Sequence, residues 1–266
     1  MRRSRFLGVW LIGAYGFLYG PIALLVLTSF NDSRLTTVWT GFSLRWFVAL
    51  ARNDALIDAA LLSLRIAAIA ASGATVIGGL AGIALARLGR FRGRALFAGM
   101  LAAPLVLPDL LIGLALLLLF VAMQQAVGFP ERGAGTIVVA HVTASLAYVA
   151  VVVEARLAGG GDVLEQAAMD LGAAPLVAFR RITLPLLAPA LISGWLLAFT
   201  LSLDDVVIAS LVSGPGASTL PMVVFSSLRL GATPELNALA TVILAMTAWG
   251  LILAWVVQWR WASAGR

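Results

Sequence analysis

The chain has 266 residues, 62% of them apolar and only 11% charged, with a mean hydropathy of +1.03. A water-soluble domain carries nearer half apolar and a quarter charged residues, so this composition is suited to lipid. The absence of cysteine excludes disulfides, iron–sulfur clusters and thiolate zinc sites, and a single histidine excludes most imidazole chemistry. The net charge of +6 arises from eighteen arginines, no lysine and twelve acids, an excess that in a membrane chain concerns topology before nucleic acid.

A helix rising about 1.5 Å per residue needs about 20 apolar residues to cross a hydrocarbon core of about 30 Å. Six stretches satisfy this: residues 6–30, 56–86, 96–127, 136–153, 188–212 and 238–259. The first follows Met1-Arg2-Arg3-Ser4-Arg5 and imitates a signal peptide. Its apolar run is long and lacks a small-residue cleavage site, so it is predicted to be a retained span. The second and third exceed one crossing, which predicts tilt or kinks, and Pro104 and Pro108 predict a break in the third. The predicted fold is all-α, a polytopic membrane bundle of six transmembrane helices forming one domain over residues 1–266.

Between spans, residues 31–55 are polar and aromatic together and are expected to lie along the membrane surface or to pack on other helices. Residues 213–221 are rich in turn formers, and residues 222–230 are expected to form a surface or re-entrant helix. With both termini cytoplasmic, the inner segments hold Arg2, Arg3, Arg5, Arg87, Arg90, Arg92, Arg94, Arg156, Arg180, Arg181, Arg260 and Arg266. The outer ones hold Arg34, Arg45, Arg52, Arg132 and Arg229, and this asymmetry sets the predicted orientation. Trp10, Trp39, Trp46, Trp249, Trp255, Trp259 and Trp261 suit packing or headgroup anchoring.

The inner segment 154–185 is the most informative. Asp162 is placed to cap a helix, with Glu165 three residues later answering as in a capping box. Ala167, Ala168 and Leu171 form a small apolar face, from which Glu165 and Asp170 point largely away. Gly172 permits a turn or a close approach, Pro175 opens a second short helix, and Arg180 and Arg181 stand at its carboxyl end. By these properties alone the segment suits a docked partner or a plain connector equally.

The segment resembles the cytoplasmic signature loop of binding-protein-dependent ABC transporter permeases, a Glu-Ala-Ala, three residues, Gly, nine residues, Ile-x-Leu-Pro pattern. Ala167, Ala168, Gly172, Ile182, Leu184 and Pro185 match it; Gln166 occupies the glutamate position, and an acid stands one residue earlier at Glu165. Further blocks, Ser29-Phe30-Asn31-Asp32-Ser33, Pro104-Leu105-Val106-Leu107-Pro108-Asp109, Phe199 to Asp205 and Ser213 to Pro221, resemble the polyamine (putrescine/spermidine) uptake branch, of the second-permease-subunit type. The resemblance implies an ABC importer type I permease-like fold and solute passage by alternating access. Glu165, Gln166, Ala167, Ala168, Gly172, Ile182, Leu184 and Pro185 are the implied ATPase-coupling residues. The implied partners are a second permease subunit, two ATPase subunits that hold ATP and Mg, an extracytoplasmic solute-binding protein and a small organic cation. The implied location is the bacterial inner membrane, and this chain is expected to carry no catalytic site, cofactor or metal of its own.

Ionisable groups within a span are costly unless paired, hydrated or near an interface. Arg65 lies about 14 Å into the second stretch and Asp109 about 20 Å into the third. Asp204 and Asp205 lie about 24 to 26 Å into the fifth, in its outer part. Arg65 is expected to neutralise Asp109 or one of the fifth-span acids. Asp204, Asp205 and Asp109 are the substrate-path candidates for an organic dication; only one of two adjacent helical acids faces a path, and Asp204 is preferred because Phe199, Leu203 and Val206 give it apolar surroundings. His141 is expected to pack or hydrogen-bond, Glu131 and Arg132 to form a solvated turn, and Gly73, Gly78, Gly79 and Gly82 to allow close helix packing. A noncatalytic scaffold that recruits a cytoplasmic protein, a self-powered secondary carrier, and a permease of the same family for another solute are the alternatives.

Overall fold

The computed structural model describes residues 2–34, 38–158, 161–231 and 233–264. The predicted cap at Asp162 and the terminal side chains of Arg2, Arg3, Arg5, Trp255, Trp259, Arg260, Trp261 and Arg266 lie outside the side chains described. The described residues are overwhelmingly helical: α1 (Arg2–Ser29), α2 (Arg45–Ala51), α3 (Asp54–Arg87), α4 (Arg94–Val106), α5 (Asp109–Val127), α6 (Ala134–Leu157), α7 (Gly161–Asp170), α8 (Pro175–Ala178), a π-helical turn (Phe179–Thr183), α9 (Leu184–Asp204), α10 (Val207–Val212), α11 (Leu220–Leu230) and α12 (Pro234–Ala264). Five helical runs are long and apolar enough to cross a membrane: Leu7–Ser29, Asp54–Arg87, Asp109–Val127, Ala134–Leu157 and Pro175–Asp204. α12, with 31 residues, runs through the sixth apolar stretch.

Two compact units form, one from residues 1–57 and 224–266 and the other from residues 58–223. In the first, α1 and α2 pack on α12. Asn237 Nδ2 donates to Thr28 Oγ1 at 3.1 Å, and Asn53 Nδ2 to Glu235 Oε1 at 2.8 Å. Buried Asn31 organises the loop after α1: its Nδ2 donates to Val38 O at 2.7 Å, its Oδ1 accepts from Thr40 N at 3.0 Å, and its carbonyl accepts from Trp46 Nε1 at 2.8 Å. Phe30 stacks on Phe42 with ring centroids 5.4 Å apart, while Phe42 and Trp39 stay exposed.

The second unit is built on α3, α5, α6, α9 and α10. One core joins Ile66, Ile112, Phe120, Ile137, Ile208 and Val212. The other joins Ala71, Ala74, Val149, Val153, Leu187 and Ala198. Apolar burial gives helices little reason to associate inside lipid, so close contact between backbones matters more. A Cβ on Gly78 would stand 2.3 Å from Leu146 O, and one on Gly82 2.6 Å from Ala150 O. Glycine is what lets α3 lie against the backbone of α6.

The third apolar stretch breaks as expected, and two other stretches differ from the sequence expectation. The third apolar stretch is two helices, because Leu107 turns extended (ψ 137°) before Pro108; Pro104 stays inside α4. The second short helix of the inner segment is not separate: α8 passes through the π turn into α9, so Arg180 and Arg181 lie within a continuous helical run and not at a carboxyl end. The fifth stretch breaks at Asp205, whose extended backbone (φ −68°, ψ 130°) ends α9. Asp204 and Asp205 therefore flank a bend and are not successive positions of one helix.

Candidate functional site

The end of the second unit that carries α7 is built around one carboxylate. Glu165 on α7 accepts from Thr183 Oγ1 at 2.5 Å and pairs with the Arg87 guanidinium at the end of α3. Arg87 Nη2 also reaches Thr183 Oγ1 at 3.4 Å. The two charged side chains keep only 19% and 13% of their exposure, so the pair is largely withdrawn from water. Burial pushes the Glu165 carboxyl up, but the Thr183 hydroxyl and the Arg87 guanidinium stabilise its anion more, and its pKa falls below the ordinary value. Glu165 thus faces its own chain, whereas Gln166 and Ala167 are exposed and Ala168 is half-buried.

α7 closes with paired backbone bonds, Ala173 N to Ala168 O (3.0 Å) and Gly172 N to Met169 O (2.9 Å), with Gly172 at φ +90°. This glycine-terminated cap satisfies the last carbonyls of α7 and turns the chain toward α8. Nothing lies within 4 Å of the position a Gly172 Cβ would take, so the turn, and not a close approach within this chain, requires glycine. On either side of that turn, Leu164, Leu171 and Leu176 are 55%, 90% and 69% exposed. Ile182 is half-buried, and Leu184 and Pro185 are exposed where α9 begins.

Farther along α9, a cleft of about 400 Å³ is lined by Asp109, His141, Tyr148, Ser202, Asp204 and Asp205, with Ser145 and Pro104 among its other walls. Asp109 opens α5 directly after Pro108, and Asp204 is the last residue of α9; both are exposed, and among the described residues neither forms an ion pair. Asp205 is engaged differently. Its Oδ2 accepts from Ala209 N at 2.7 Å and lies 3.2 Å from His141 Nε2, while its Oδ1 accepts from Ile208 N at 3.2 Å. His141 Nδ1 lies 2.6 Å from Ser202 Oγ. A carboxylate only accepts, so the proton of a neutral His141 sits on Nε2 and the Ser202 hydroxyl donates to Nδ1. This buried network fastens the end of α9 and the start of α10 to α6.

The structure therefore brings Asp109, Asp204 and Asp205 into one cleft but leaves Arg65 out of it. The packed face of α3 carries Ala59, Ser63, Ile66, Ala67 and Ala70, and Arg65 projects from the opposite side. It is exposed and pairs with neither Asp109 nor the fifth-span acids, contrary to the predicted neutralisation. Sequence reading missed Arg87, Thr183 and Ser202. Arg87 served there only as a topological charge, and Thr183 lies unremarked between Ile182 and Leu184 of the matched pattern. Ser202, three residues before Asp205, needed the α6–α9 packing to acquire meaning.

Residues 78–259 match the family described as binding-protein-dependent transport system inner membrane component. The chain is 56% identical over 259 residues to the putrescine transport system permease protein PotI of Escherichia coli (strain K12), covering 97% of this chain and 92% of that protein. It is 44% identical over 243 residues to the spermidine/putrescine transport system permease protein PotC of Haemophilus influenzae (strain ATCC 51907 / DSM 11121 / KW20 / Rd), covering 91% and 92%. A bacterial ABC transporter involved in the import of the acidic polysaccharide alginate shares the fold, with a TM-score of 0.73, 14% identity and coverage of 95% and 94%. With its family match spanning both the inner segment and the acidic cleft, the chain belongs to the binding-protein-dependent transport family, as a multi-pass inner-membrane permease subunit with the helical fold of ABC importers.

Proposed function

We propose that this permease carries putrescine or a related polyamine inward by alternating access, driven by ATP hydrolysed on separate cytoplasmic subunits. The cleft carries the reading. Two exposed carboxylates, Asp109 and Asp204, converge with a third, Asp205, that is held by His141 and the start of α10. Such a cleft attracts an organic cation, and unpaired acids within a membrane span mark a path more often than a core. The names of the relatives, putrescine and spermidine/putrescine permeases, support the same substrate class. Asp204 and Asp109 are the direct cation contacts in this reading, and the solute-binding protein supplies most of the selectivity.

The whole chain works as one permease domain with both termini cytoplasmic. It assembles with a second permease subunit, two ATPase subunits holding ATP and Mg, and an extracytoplasmic solute-binding protein. The exposed leucines around Gly172 are the surface that receives the ATPase, and Gln166 leaves that surface without the usual acid. This chain itself carries no catalytic step. Reconstitution of the complex in vesicles, with ATP-driven uptake measured across polyamines, amino acids and inorganic cations, tests the proposal. Selective, ATP-dependent polyamine uptake is expected; uptake without ATPase subunits, or of another solute class only, would reject it.

A further inference from the structure

The inner segment is joined to the bundle twice. One junction is covalent, through α8 and the π turn into α9. The other is made by side chains: Glu165 on α7, Arg87 at the last residue of α3, and Thr183 at the end of the π turn, residues separated by 78 and 18 positions in the chain. A π turn departs from the regular helical ladder, and such turns occur frequently at functional sites. A push on α7 that acted only through this turn would reach α9 alone. The carboxylate adds α3, because it holds the residue closing the turn and the end of α3 at once.

We propose that Glu165, Arg87 and Thr183 form a joint that stays closed through the transport cycle, so that displacement of α7 moves α3 together with α9. Glu165 is then a positioning residue that acts within this chain, distinct from the exposed surface around Gly172 that meets the ATPase. The depressed carboxyl pKa agrees with an anion held in place at neutral pH. The proposal rests on the reading of this chain as the permease of an ATP-driven importer.

The test uses the complete reconstituted complex and reads solute taken up per ATP hydrolysed. R87E and E165R are each expected to lower that ratio about tenfold, the equivalent of about 1.4 kcal/mol of lost coupling, while the charge-swapped R87E/E165R regains most of it. A double variant no better than the poorer single one, or single variants with an unchanged ratio, would overturn the joint. Should the reversals prevent assembly, the cysteine-free chain permits a second measurement with R87C/E165C bridged by a bis-methanethiosulfonate, which joins the two thiols through reducible disulfides with release of methanesulfinate. Bridged complexes retain uptake if the joint remains closed, and loss of uptake on bridging that is restored by reduction would refute it. A wild-type complex without ATP-driven uptake would instead remove the underlying transport reading.

Discussion

Asp204 and Asp205 are neighbours in sequence, yet their asparagine variants should fail in different assays. Asp204 is exposed to the cleft and makes no ion pair among the described residues, so D204N removes charge and little structure. For an ammonium at about 4 Å the lost attraction is worth about 1 kcal/mol under the screening of water and about 4 kcal/mol at an effective dielectric of about 20, or roughly 5- to 1,000-fold in uptake efficiency. Asp205 accepts three bonds through both oxygens. An asparagine there turns its NH₂ either toward Ile208 N–H or toward Ala209 N–H and His141, so a donor faces a donor in both orientations. The cost is about 1.5 to 3 kcal/mol of local stability, read as a lower melting temperature and poorer recovery of assembled complex. Equal vesicle loading, with uptake and thermal stability measured on both variants, separates the two. Unchanged uptake in D204N, or D205N that loses uptake at full stability, would refute the division of labour.

G172A places a side chain at φ +90° in open space, so its cost of about 1 to 2 kcal/mol is backbone strain alone; faster amide exchange in α7 and weaker substrate-stimulated ATP hydrolysis are expected, with G172N milder. G78A drives a Cβ into Leu146 O and should destabilise the bundle by about 1 to 3 kcal/mol in thermal unfolding, whereas G99A, with nothing within 4 Å, should not. The lowered Glu165 pKa means that its contribution is complete above the ordinary glutamate value of about 4.3 and is lost as pH falls through the depressed one. Amide exchange in α7 should therefore rise on acidification, and E165Q should remove that dependence by loosening α7 at every pH.

The membrane character, the long helices and the signature segment were legible because each is written in a local signal: apolar run length, and the spacing of Ala167, Ala168, Gly172, Ile182, Leu184 and Pro185. The breaks were harder to read. Pro104 and Pro108 are equal as sequence signals, but only Pro108 breaks the helix, since Leu107 has already left the helical region there. Asp205 carries no breaker signature; its bend exists because two α10 amides and His141, 64 residues away, satisfy its carboxylate. Arg65 is the plainest case. Depth along α3 suggested a partner, but the packed face of that helix is set by Ala67, Ala70, Ala71 and Ala74, and Arg65 is not on it.

The two sites share an element, and that bears on how the chain transports. α9 begins beside the π turn that Glu165 secures and ends at Asp204, spanning 21 residues, or about 32 Å at ideal rise. Along that length Leu187, Ala190, Gly194, Ala198 and Ser202 are buried at intervals of three or four, so one face of α9 stays against its neighbours from end to end. Gly194 lets that face approach Val149 of α6 closely, a Cβ there meeting Val149 Cγ1 at 3.2 Å. A rod held in this way tilts or slides more readily than it bends. Beyond Pro189, which lies inside the helix near its start, the next break comes at Asp205, where the helix stops, and the acids of the cleft sit at that bend. Under the proposed mechanism, movement received at the inner end reaches the cleft with little loss and changes how Asp204 and Asp109 face one another. A substitution that kinks α9 between the two, such as A198P, should leave ATPase docking intact, since the inner surface is untouched, yet separate hydrolysis from uptake. Loss of docking in A198P, or normal uptake per ATP, would show that α9 is not the link.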